Sequence, residues 1–119
     1  MGLDMWLYEK EVHEVAYWRK DNAIHGWFIT NYADGVDDCR SIEVDRIGLI
    51  TLRDICLQLS ESNNAELAME LLPPVAGFFF GSDQIDDWYW EAVKETATKL
   101  TQIIDESVED AMFEYQASW

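Results

Sequence analysis

The sequence predicts an α+β fold: a helix-dominated single domain spanning residues 1-119, with an N-terminal β-hairpin and a long C-terminal amphipathic helix. Three observations predict it. Two short stretches rich in β-prone aromatics open the chain. Stretches with apolar residues at helical spacing follow in the middle. From residue 85 onward, steps of three and four separate the apolar positions almost to the end. A chain of 119 residues supports one domain, because two halves would each be too small for a core to offset chain entropy.

Residues 2-9 and 12-18 mix apolar and polar positions, with Lys10 and Glu11 between them, and read as a hairpin. Asp21 or Asn22 caps a helix running to about Tyr32, with Ile24, Trp27, Phe28 and Tyr32 on one face. Asp34-Gly35 ends it. Ser41-Ile42-Glu43-Val44 reads as a short strand, and Asp45 caps a helix over about 46-60. Its apolar residues Ile47, Ile50, Leu52, Ile55, Leu57 and Leu59 lie on more than one side. After a polar break, Ala65 to Leu72 forms two turns that Pro73-Pro74 stops. Gly77-Phe78-Phe79-Phe80-Gly81 is a buried strand or tight aromatic loop, and Ser82 or Asp83 caps the last element. That element, a helix over about 84-116, carries Trp88, Tyr89, Ala92, Val93, Ala97, Leu100, Ile103, Ile104, Val108, Ala111, Met112 and Tyr115. Its length comes to roughly 46 Å. A globule of this size has a radius of gyration of about 13–14 Å, so the helix is expected to kink or to leave the body. Trp6, Trp18, Trp27, Phe78, Phe80 and Trp88 are the expected core aromatics.

Twenty-four acidic residues stand against eight basic ones, for a net charge of -16. Generic binding to nucleic acid or to an anionic membrane is disfavoured, since both surfaces repel such a chain. Self-repulsion also works against the compact state, so moderate salt is expected to stabilise it. No apolar run approaches the roughly 18 residues that span a bilayer. With no export signal visible, Cys39 and Cys56 are expected to be reduced thiols in a cytoplasm.

Residues 83-119 hold ten acids against two lysines, a net of -8 and half of the total. On a helix, Asp105, Glu106, Glu109, Asp110 and Glu114 form like-charge neighbours about 5–6 Å apart. Such a row imitates phosphates for a basic groove, with Tyr115 and Trp119 as an apolar anchor at its rim. Glu91-Lys94 and Glu95-Lys99 read as helical ion pairs. The alternative site is a ligand pocket of Trp18, Arg19, Lys20, Asn22, His25 and Asp38, where aromatics beside cations stack a base and hold a phosphate.

Other patterns carry less. Asp34-Gly35-Val36-Asp37-Asp38 departs from the calcium-loop template. His13, His25, Cys39 and Cys56 contain no short-spaced pair for zinc. A Cys39 nucleophile with His25 as base rests on residue types alone. The Gly77-Ser82 loop enters a helix whose start is already acidic, which repels phosphate. No metal or cofactor is expected, and the leading reading is not enzymatic.

Six stretches stand out together: Met1-Gly2-Leu3-Asp4-Met5; Tyr17-Trp18-Arg19-Lys20 with Asn22, Ile24-His25 and Trp27-Phe28; Asp34-Gly35-Val36-Asp37-Asp38-Cys39; Leu71-Leu72-Pro73; Gly77-Phe78-Phe79-Phe80-Gly81-Ser82; and Asp86-Asp87-Trp88-Tyr89. As a set they resemble a family of small bacteriophage and prophage proteins. The resemblance covers about residues 1-95 and implies a phage or prophage source rather than a chemistry. Pro74 and Val75 depart from it, as does the acidic tail past residue 100. The source and the charge together imply an inhibitor that meets the basic surface of a host nucleic-acid-handling protein, such as a defence nuclease or CRISPR complex. Self-association through the apolar stripe of the long helix is the further expectation.

Overall fold

Alternation of apolar and polar side chains sets the sheet. In β1 (Asp4–Glu9), Met5 and Leu7 are buried while Trp6 and Tyr8 are half-buried on the other side. In β3 (Ile42–Asp45), Ile42 and Val44 are buried while Glu43 and Asp45 are exposed. The computed structural model describes residues 3–9, 13–19, 21–37, 39–74 and 85–118 and, of His13 and Arg19, the backbone alone. Lys20, Asp38, Trp119, the aromatic run with Phe78 and Phe80, and the expected caps Ser82 and Asp83 lie outside the described residues.

β1 and β2 (His13–Arg19) form the expected hairpin, with Met5 opposite Trp18 and a register shift between Leu7 and Tyr8. The largest departure from expectation is at the C-terminus. The long helix does not reach residue 116. It ends at Glu106, and Met112–Ser118 is a strand, β4, in the interior of the sheet. The order is β2-β1-β4-β3, with every neighbouring pair antiparallel. The cause is a change of period. Phe113, Tyr115 and Ala117 are buried, and Gln116 and Ser118 are exposed, which is a repeat of two. Phe113 and Ala117 do not fit the helical steps, and it is they that the sheet buries. Fully burying Phe113 contributes about 1.5–3 kcal/mol, which an exposed helical tail would forgo. Size points the same way: the longest dimension is 36 Å, short of the expected helix.

The helices follow their local signals. α1 (Asn22–Tyr32) ends where Asp34 and Gly35 take positive φ, and the Gly35 amide donates to the Ile29 carbonyl at 3.0 Å. Asp45 caps α2 (Arg46–Ser62) as expected, accepting from the Gly48 amide at 2.9 Å. Asn63 then closes α2 in the left-handed region. Asn64 caps α3 (Ala65–Leu71), taking the amides of Glu66 and Leu67. Among the described residues the cap of α4 (Asp87–Glu106) is Asp86, which accepts from the Tyr89 amide at 3.1 Å.

α1 and α4 meet the buried face of the sheet. The Phe28 ring stacks on Tyr115 at 4.0 Å and 16°. The Trp18 indole N–H donates to Thr96 Oγ1 of α4 at 3.0 Å. α2 packs along α4, with Leu49, Leu52, Cys56 and Leu59 on its buried side. The whole is one α+β domain with a radius of gyration of 13.4 Å. Two expected core residues belong elsewhere. Trp88 is 57% exposed on α4, and Trp6 is half-buried on the outer side of the sheet, against Tyr17. No helix among the described residues is long and apolar enough to cross a membrane.

Candidate functional site

Strand register brings carboxylates from distant parts of the chain to one end of the molecule. Glu9 lies opposite Phe113, and Asp45 lies opposite Met112. The ends of β1 and β3 therefore flank the turn that joins α4 to β4. That turn carries Glu109 and Asp110, both exposed, and follows the exposed Asp105 and Glu106. Glu106 also rims a depression of about 430 Å³ with Glu9, Glu14, Val15, Lys99, Gln102 and Ile103. On the other side of α4, Asp105 and Glu106 border an open groove of about 660 Å³ beside Leu57, Ser60, Thr98 and Thr101.

Local physics disfavours this placement. Asp105 and Glu106 stand at the C-terminus of α4, where the helix dipole is negative. Lys94 borders the groove with them but forms no ion pair among the described residues, and at the helix end Arg46 Nη2 donates to the Ile104 carbonyl at 3.0 Å and its Nε to Ser107 Oγ at 3.1 Å. Arg46 thus caps the helix rather than pairing with the acids. Lys99 is committed as well: its Nζ donates to the Tyr17 carbonyl at 2.9 Å and sits 5.5 Å from the Trp18 ring centroid. The expected Glu95-Lys99 pair gives way to that contact. Among the described residues no ion pair neutralises Glu9, Glu14, Asp105, Glu106, Glu109 or Asp110.

The expected partner-binding set is therefore divided. Asp105, Glu106, Glu109 and Asp110 stay together and exposed, but only the first two are helical. Glu114 leaves the row; it sits half-buried in β4, opposite Glu43 and Tyr8. Tyr115 is no rim anchor, because it is fully buried. The apolar stripe of α4, including Val93, Ala97, Leu100, Ile103 and Ile104, is buried within the domain. Glu9 and Glu14 join the acidic end, and no sequence pattern announced them, since the hairpin meets α4 only in the folded chain.

The alternative ligand set is also divided. Trp18 is buried beneath Lys99, while Asn22 and His25 point into the core. His25 Nδ1 lies 2.6 Å from the Tyr115 hydroxyl and Nε2 lies 3.0 Å from Asp37 Oδ2. Burial first, then the nearby Asp37 and Asp21 charges, hold the Tyr115 phenol well above its ordinary pKa. Tyr115 therefore keeps its proton, and its hydroxyl, the imidazole and the Asp37 carboxylate form one hydrogen-bonded chain. The order Asp37–His25–Tyr115 resembles a base-orienting relay. Beside it, Cys39, Arg40 and Ile42 border a depression too tight to seat a water-sized sphere among the described residues. Its evident work is to tie α1 and the following loop to β4. Among the described residues no group of three or more His, Cys, Asp or Glu is placed to hold a metal ion.

Comparison of the chain with protein-family models, with curated proteins and with solved structures finds no match in any of the three.

Proposed function

We propose that the protein is an acidic binding module of phage type that docks on the basic surface of a nucleic-acid-handling host protein and blocks it, with its carboxylates standing in for DNA phosphates. The observation that carries this reading is the convergence of Glu9, Glu14, Asp105, Glu106, Glu109 and Asp110 at one end, exposed or bordering an open depression, with no described ion pair. Folding gains nothing from it. Acids at a helix C-terminus cost about 0.3–1 kcal/mol each, and like charges at this density repel. A surface of that kind speeds encounter with a cationic partner and makes affinity fall with salt.

The test is a variant with Asp105→Asn, Glu106→Gln, Glu109→Gln and Asp110→Asn. Wild type should retain a nucleic-acid-binding protein from bacterial lysate at about 50 mM salt and release it at about 500 mM or on addition of duplex DNA. The variant should fold with equal or greater stability and retain none. Equal capture by both proteins, insensitive to salt and to DNA, would refute the proposal.

A further inference from the structure

Along α4, Trp88, Glu91, Ala92, Glu95 and Lys99 are spaced i, i+3, i+4, i+7 and i+11, which places them on one face. Facing them are Tyr17 and Trp18 from the end of β2 and Asp21 at the start of α1. Together these residues line a cleft of about 240 Å³, the size of a small ligand rather than a nucleotide. The cleft shares Trp18 with the expected ligand pocket but is otherwise built of different side chains.

Its chemistry is selective. Trp88 presents an indole that is 57% exposed, an unusual outlay of apolar surface for a helix. Glu91 and Glu95 are exposed and form no hydrogen bond or ion pair with any described residue. Asp21 is half-buried, and its side chain does not cap α1. Desolvation raises its pKa to about 6; Lys99 opposes this and Glu95 adds to it. The cleft already shows what it accepts, because the Lys99 ammonium lies over the Trp18 ring. Three carboxylates against the one ammonium of Lys99 leave the described cleft net negative, which repels anions and favours a cation. An ammonium group with an aliphatic stem satisfies both the indole and the acids.

We propose that this cleft binds a small organic cation, an alkylammonium of the polyamine or quaternary-ammonium class, seated on Trp88 with Glu91, Glu95 and Asp21 as its counter-charges. The proposal does not rest on the docking surface, which shares Lys99 with the cleft but draws its acids from the C-terminal end of α4 and beyond.

The test uses the whole chain, with spermidine and tetramethylammonium as probes and N-acetylglucosamine as the neutral control. Binding is read by calorimetry and by tryptophan fluorescence at constant ionic strength. Both cations should bind and the sugar should not. Trp88→Ala should weaken cation binding roughly tenfold. Glu91→Gln with Glu95→Gln should weaken it at least as much, whereas Asp105→Asn with Glu106→Gln, which removes the same charge elsewhere, should not. All these side chains are exposed, so the variants should keep the wild-type circular dichroism. Between pH 7 and pH 5 Asp21 takes up a proton in the company of Glu91, Glu95 and Lys99 of α4 and Cys56 of α2. Affinity should then fall by up to about tenfold. Equal weakening in the two double variants would show diffuse attraction to an acidic protein and overturn the proposal. So would binding of the sugar as tight as that of the cations.

Discussion

Replacing Tyr115 by Phe removes one oxygen from the centre of the fold and leaves the rest of the ring in place. The stack on Phe28 at 4.0 Å needs only the ring and should survive. What is lost is the bond to His25 Nδ1 at 2.6 Å. The buried His25 then loses its bond to the Tyr115 hydroxyl, a cost of about 1–3 kcal/mol. For a chain of this length, about 2 kcal/mol corresponds to a melting temperature lower by roughly 5–10 °C. Urea unfolding followed by far-UV circular dichroism measures the free energy directly. Tyr8→Phe is the control, since Tyr8 is only half-buried in β1 and should change stability by less than about 0.5 kcal/mol. A loss below about 0.5 kcal/mol for Tyr115→Phe would refute the claim that this bond ties α1 to β4. The same substitution changes the alkaline limb. Tyr115 has its pKa raised by folding, so it stabilises fully below the unfolded value near 10, and that contribution disappears as pH rises above it. Cys56, pushed up to about 12 by burial, acts in the same direction from pH 9. Tyr115→Phe should therefore lose stability less steeply above pH 10 than wild type does.

Three further outcomes are expected. Gly48→Ala should destabilise by about 1–3 kcal/mol in thermal melts, because its Cβ would collide with the Tyr32 ring and hydroxyl, which bonds Asp45 at 2.8 Å. The ordinary helical preference of alanine predicts a gain instead, so the sign decides. Asp21→Asn should stabilise at pH 7. A carboxyl whose pKa is raised to about 6 in the fold opposes folding above that pH and no longer does so below about 4. The wild-type advantage on acidification across this window, at most about 3 kcal/mol before solvent screening, should vanish in the variant. Arg46→Met should cost about 0.5–1.5 kcal/mol through its lost bonds to the Ile104 carbonyl and Ser107 Oγ, since Ser107 still donates to that carbonyl. Hydrogen exchange should show faster opening of the last turn of α4.

Much of the architecture was legible because its signals are local. Apolar spacing, joined at α2 by the Asp45 cap, placed α1, α2 and α3 within one or two residues, although the Asp21 side chain expected to cap α1 makes no cap bond, and Ile42-Glu43-Val44 placed β3. The C-terminus misled because Ala111, Met112 and Tyr115 satisfy a helical step while Phe113, Tyr115 and Ala117 satisfy a strand. The latter pattern prevails only once β1 and β3 offer partners on both sides. Trp88 was placed in the core on periodicity, although a helix of alternating small and large residues can turn one aromatic outward over Ala92.

Sequence alone determined a strongly anionic α+β domain, its hairpin and its middle helices, since charge and short-range periodicity are properties of neighbouring residues. Tertiary structure decided the rest. It set β4 between β1 and β3, buried Tyr115 against His25, gathered Glu9 and Glu14 beside Glu106, and placed Asp21 opposite Glu95. Those pairings join residues far apart in the chain, and their cost in loop entropy is met only when the whole core closes at once.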